Sequence, residues 1–154
     1  MGILDAIQGT RIYLDTNIWI YALEGYSAFL EDLTQLFQSV DQGNLSIVTS
    51  ELSLAEVLVK PFQNHDLAQQ KAYKQLISNS QNLTVIPVSR HVLIEAAQLR
   101  ASINIKLPDA IHAATALLIS CSLDYLLNPK NPTPPKLRFV SPPRKLLGVG
   151  GGVQ

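Results

Sequence analysis

Arg11-Ile12-Tyr13-Leu14-Asp15-Thr16-Asn17 is the stretch on which the reading of this chain turns. Its first four residues are apolar or long-stemmed, with a β-branched and an aromatic side chain at the centre, and read as a short buried strand. A helical stretch follows from Thr16 to Leu23 and is stopped by Gly25. Asp15 therefore sits where a strand ends and a helix begins. In an open parallel sheet the carboxyl ends of the strands are where ligands bind. An aspartate in this place is also a good helix N-cap, and Asp15 alone does not separate the two roles.

Working outward, the pattern repeats. Ser27 to Val40 carries Leu30, Leu33, Leu36, Phe37 and Val40 at helical spacing. Gly43-Asn44 makes a turn into a second strand at Leu45–Val48. A helix capped by Thr49 or Ser50 follows and is expected to end before Pro61. A polar helix over Asn64–Ser78 leads to a strand at Leu83–Ile86, and Ser89–Ala101 is helical again. Pro108 opens a helix running through Ile119. Asp124–Leu127 is expected to be a strand, and a proline-rich loop, Asn128 to Pro135, leads to a last strand at Leu137–Val140. Short apolar strands alternating with helices imply right-handed crossovers and a mostly parallel sheet covered on both faces. The expected fold is α/β, a three-layer α/β/α sandwich, with residues 1–147 forming one domain and 148–154 a disordered glycine-rich tail.

Composition agrees with one folded domain. The chain has 154 residues, of which 47% are hydrophobic and 16% charged, enough for a core and unlike a disordered chain. Its formal net charge is zero, so there is no global basic signal for nucleic acid and any such contact must be local. The single cysteine, Cys121, cannot form an internal disulfide and reads as a small buried residue of a reduced compartment. No leader-like segment or spanning helix is legible, so a cytoplasmic protein without a membrane partner is expected.

Among twelve acids, three stand out by position. Besides Asp15 there is Glu56, in the middle of Glu51-Leu52-Ser53-Leu54-Ala55-Glu56-Val57-Leu58-Val59 and on the same side as Leu52 and Val59. A carboxylate at the edge of an apolar stripe needs a cation or hydrogen-bond donors. Ser53-x-x-Glu56 could instead be a capping box, at the cost of starting the helix after Leu52. Asp109 begins the helix opened by Pro108, with the small residues Ala113 and Ala116 along its side. Favourable interaction with a helix dipole explains it singly, but not all three acids together. Carboxylates gathered at one sheet edge repel one another unless a hard, oxygen-seeking cation such as Mg²⁺ joins them. Zinc-type ligand spacing, a phosphate-binding glycine loop and a nucleophile elbow are all missing from the sequence, which leaves phosphodiester hydrolysis as the chemistry of choice.

These three acids also carry a family resemblance. Leu14-Asp15-Thr16-Asn17, Ser50-Glu51-Leu52-Ser53-Leu54-Ala55-Glu56-Val57 and Leu107-Pro108-Asp109-Ala110-Ile111-His112-Ala113-Ala114-Thr115 resemble the first three motifs of PIN domains, closest to VapC-type toxins, over Tyr13 to Val140. The resemblance implies a Mg²⁺-dependent (or Mn²⁺-dependent) endoribonuclease for single-stranded RNA, a homodimer, and a small antitoxin partner. It assigns Asp15, Glu56 and Asp109 to the metal site and Asn17 to orienting the first acid or a water. Thr16, Glu51 and Asn128 are auxiliary candidates. Lys106, Arg100, Lys60 and Arg11 are candidates for RNA contact. His112 is assigned no chemistry and is expected to be a packing residue, and Trp19 and Tyr21 are expected in the core although either could stack a base.

The fourth motif departs from the family. After Asp124-Tyr125-Leu126-Leu127, Asn128 is retained, but the expected aspartate is replaced by Pro129. With Asp124–Leu127 as a strand, Asp124 would lie about 15 Å from the missing acid's place. The alternative is therefore a degenerate PIN domain that binds RNA or a protein partner without cleaving. A third possibility, a phosphohydrolase with Asp15 as covalent nucleophile, is disfavoured because Asn17 stands where that chemistry commonly wants a second acid.

Overall fold

The computed structural model describes residues 11–127 and 139–140. Strand β1 (Arg11–Leu14) leads into helix α1 (Thr16–Glu24), a 3₁₀ turn at Ser27–Phe29 and helix α2 (Leu30–Asp41). Strand β2 (Ser46–Ser50) is followed by α3 (Glu51–Gln63) and α4 (Leu67–Leu76). Strand β3 (Leu83–Ile86) precedes α5 (Arg90–Ser102) and α6 (Leu107–Leu127), and β4 is Phe139–Val140. Side chains punctuate these elements as the sequence suggests. Asp15, Ser50, Asp66 and Ser89 each accept a hydrogen bond from the first turn of the following helix. Gly25 ends α1 at φ 68°, the left-handed conformation that glycine adopts without steric cost.

All strand pairings are parallel, in the order β3-β2-β1-β4. Ile12 pairs with Ile47 and Ile47 with Leu83, which puts one apolar row across the sheet. That face, with Leu14 and Val85, buries Ile18, Trp19, Leu36, Val57 and Tyr73 from α1–α4. The opposite face presents Tyr13, Val48 and Ile86 to Ala116 and Ile119 of α6. Beyond it, α5 and α6 share a cluster of Val92, Ala96, Ala110, Ile111 and Ala114, in which the three alanines let the two helices approach. The expected three-layer sandwich is thus observed. From β1 the chain moves outward through β2 to β3, then returns to place β4 on the other side of β1. The strand order reverses at β1, and Asp15 follows it at that switch point.

Two expectations are corrected. Helix α3 does not stop before Pro61 but runs to Gln63. A proline near the end of a helix forfeits one amide hydrogen bond. Here its ring is buried and its carbonyl accepts from Asp66 N and the Gln70 amide. Asp124–Leu127 is not a strand: α6 continues through Leu127. Leu126-Leu127 is as compatible with a helix as with a strand, and no glycine or proline interrupts 109–127. The distance argument against Asp124, which assumed a strand, falls with it. Asn128, Pro129 and the tail 148–154 lie outside the described residues. No helix among those described is long and apolar enough to cross a membrane.

Candidate active site

The carboxyl edge of the sheet is where the three singled-out segments meet. Helix α3 starts at Glu51 with Ser50 as its cap, so Glu56 is well inside the helix and the capping-box reading of Ser53 fails. Leu52, four residues earlier, packs with the α5–α6 cluster, whereas Leu54, Val57 and Leu58 pack under the sheet. Glu56 rises at the seam between these two layers. Val59 is exposed, so the apolar surround expected for Glu56 is half present.

Two donors meet the Glu56 carboxylate there. His112 Nε2 lies 2.8 Å from Oε1, and the Thr16 hydroxyl donates to the same oxygen at 2.9 Å. The imidazole is 8% exposed against 35% for the Glu56 side chain, so the pair spans from the interior to the surface. On its inner side, His112 Nδ1 is 2.7 Å from the Tyr13 hydroxyl, and the two rings meet edge to face. Burial raises the Tyr13 phenol far above its ordinary range, with the Asp15 and Glu56 charges adding to the effect against hydrogen bonds from Ser50 and Thr115. Tyr13 therefore keeps its proton, and its hydroxyl shares a hydrogen bond with Nδ1. Nε2 carries a proton and donates to Glu56, since a carboxylate only accepts. The His112 hydrogen bond, aided by Thr16, holds Glu56 below the ordinary carboxylate range against the opposing effect of burial.

The network continues inward. Thr16 Oγ1 lies 3.3 Å from Ser53 Oγ, which is 3.2 Å from Thr49 Oγ1. Thr49 donates to the Leu14 carbonyl at 2.8 Å and accepts from the Trp19 indole at 3.0 Å. Every side chain from Trp19 through Thr49 to Ser53 is fully buried. Buried hydroxyls of this kind are tolerated because each is satisfied.

The other predicted residues fall into two groups. Asp15 caps α1, its Oδ1 accepting from Ile18 N at 3.4 Å, and stands directly before Thr16; capping and edge position coincide. Asp109 is exposed in the first turn of α6, Asn17 is exposed in α1, and Glu51 is exposed at the start of α3. Among the described residues, no three His, Cys, Asp or Glu side chains are grouped closely enough to hold one metal ion. Of the basic candidates, Lys60 is exposed one turn beyond Glu56 and Lys106 is exposed just before α6. The Arg100 guanidinium donates to the Ile105 carbonyl and braces the α5–α6 connection. Arg11 begins β1, at the opposite edge of the sheet from Asp15, and its Nε is 3.5 Å from Ser46 Oγ. Trp19 is core, as expected, while Tyr21 is partly buried and stacks on Phe29.

His112 is the correction of most consequence. It is buried, yet it is also the residue of α6 that reaches Glu56. Its place three positions after Asp109, on the same helical side, was the available signal. Tyr13, Thr49 and Ser53 left no comparable mark, because a tyrosine in a strand and hydroxyls near a cap are common.

A parallel α/β sheet with acids at its switch point defines a class of sites for polar, charged ligands. The family follows from comparison: the PIN domain model matches residues 12–123, and the chain belongs to the PIN domain family. Its fold is similar to that in VapBC2 from Rickettsia felis bound to a DNA fragment from their promoter, with TM-score 0.52, 20% identity, and 70% of this chain and 80% of that one covered. It is equally similar to a chain of a toxin–antitoxin complex from Klebsiella pneumoniae, with TM-score 0.52, 23% identity, and 82% and 99% covered. No curated protein matches the sequence.

Proposed function

We propose that this protein is a metal-dependent endoribonuclease of the VapC toxin type, cleaving single-stranded RNA and held in check by a small antitoxin. The observation that carries the reading is the Glu56 carboxylate, fixed by His112 and Thr16 at the sheet edge one residue from Asp15. Membership of the PIN family, whose domains are generally nucleases, and the toxin–antitoxin complexes among the fold neighbours support it.

The residues fit a Mg²⁺ or Mn²⁺ ion by donor chemistry. Mg²⁺ takes one or two protein carboxylates and keeps several waters, so no compact three-acid cage is required. Asp15, Glu56 and Asp109 would hold it, one or two directly and the rest through water, with Asn17 and Thr16 orienting the carboxylates. When bound, the ion supplies Lewis-acid activation of water and charge neutralisation at the scissile phosphate. Glu56, kept ionised by its donors, offers negative charge at neutral pH. Lys106 and Lys60, exposed near Asp109 and Glu56 in the chain, would meet the RNA backbone in this reading, Arg100 and Arg11 less so. A homodimer accompanies this reading.

Pro129, standing where the family carries a fourth acid, favours the second reading of a PIN domain that binds without cutting. One experiment separates the two: cleavage of labelled single-stranded RNA with Mg²⁺ or Mn²⁺ by partner-free wild type, Asp15→Asn and Asp109→Asn. Metal-dependent cutting that both substitutions abolish is expected. No cutting by folded wild type would transfer the assignment to the binding module.

A further inference from the structure

We infer that His112, itself held by Tyr13, is a positioning residue that fixes the Glu56 carboxylate for a divalent cation. The inference rests on the nuclease reading of the same site and adds to it a residue outside the acid set.

A mid-helix glutamate at the surface has three side-chain torsions and, without partners, turns among several rotamers. Here both donors fall on one oxygen: His112 Nε2 and the Thr16 hydroxyl each bond Oε1. Among the described residues neither bonds Oε2, which is thereby the oxygen turned to a cation. His112 is not placed to be a ligand itself. Its Nε2 proton is spent on Glu56, and Nδ1 faces the Tyr13 hydroxyl at 2.7 Å. Tyr13 is fully buried on a strand paired on both sides, so the orientation of the imidazole is referred to the interior of the sheet. The line from Tyr13 through His112 to Glu56 joins β1, α6 and α3, segments 99 and 56 residues apart in sequence. A packing histidine would need neither bond. Partners that orient metal-binding side chains typically change metal affinity or activity by 10–100-fold when removed.

The test is Mn²⁺ affinity of the full chain by isothermal titration, with thermal melting recorded alongside. His112→Ala is expected to weaken Mn²⁺ binding on the order of 10-fold. His112→Gln, whose amide nitrogen falls near the position of Nε2, is expected closer to wild type than to the alanine variant. In a Glu56→Gln background, His112→Ala is expected to add no further loss, which a residue serving stability alone would not satisfy. Should His112→Ala fail to fold, Tyr13→Phe tests the same line and is expected to weaken Mn²⁺ in the same direction. Unchanged affinity in the folded variants, equal losses with and without Glu56, or a wild type that binds no Mn²⁺ would overturn the inference. A wild type that binds Mn²⁺ in this pattern yet cuts no RNA supports the positioning role and overturns the nuclease reading instead.

Discussion

The inner wall of the site and its outer rim are built on different terms. The wall, from Trp19 through Thr49, Ser53 and Thr16 to Glu56, His112 and Tyr13, is a continuous set of hydrogen bonds that also fills the core. The rim, Asp109 with Asn17 and Glu51, is solvent-exposed on helix first turns. A substitution in the wall disturbs folding and chemistry together, whereas one on the rim reaches chemistry with little effect on folding. The difference teaches that exposure, not proximity to the sheet edge, decides which residues can be read by activity alone.

The largest effect expected on stability is at the deepest point of the wall. Trp19→Ala removes a fully buried indole and should cost about 3–5 kcal/mol by chemical denaturation. Thr49→Val keeps the volume but leaves the Trp19 indole N–H and the Leu14 carbonyl without their partner, and about 1–3 kcal/mol is expected. If Thr49→Val were neutral, the wall would be ordinary apolar packing and the comparison would break. Asp109→Asn sharpens the other side. Its unfolding free energy should stay within about 0.5 kcal/mol of wild type while RNA cleavage is lost. A large destabilisation there would place Asp109 in the wall.

The smallest effect concerns alkaline pH. Burial, chiefly, raises the Tyr73 phenol to about 12 and Tyr13 higher still, whereas in the unfolded chain both titrate near 10. The unfolded state then sheds these protons first, so their contribution is complete below pH 10 and declines from there through the folded values. Thermal melts at pH 9 and 11.5 should show the loss, and phenolate absorbance should show Tyr73 titrating before Tyr13. A Tyr13 that ionises near pH 10 would contradict its place in the wall.

The layers and the acids were legible in the sequence; the hydroxyls, the tyrosine and the histidine that join Glu56 to the core were not. Apolar period and punctuation located β1, α1 and β3 to within a residue or two, because each is bounded by a cap, glycine or turn and buries a regular face. The end of α6 was misread because Asp124–Leu127 carries no breaker, and a four-residue apolar run fits either helix or strand. Asp15, Glu56 and Asp109 were visible because an acid beside apolar neighbours violates local pattern. His112 violates nothing locally. Its role arises from Tyr13 and Glu56, residues distant in sequence that only the packed sheet brings together, and its place three positions after Asp109 was the one signal the sequence carried.

In the proposed nuclease, Asp15 and Glu56 at the switch point of the sheet share a divalent cation. The direct measurement is a crystal of the full chain grown with Mn²⁺ and examined by anomalous diffraction. A peak on the order of 2 Å from oxygens of both carboxylates, with His112 still bonded to Glu56, is the result predicted. A well-ordered site without a peak, or a peak elsewhere on the molecule, would contradict it.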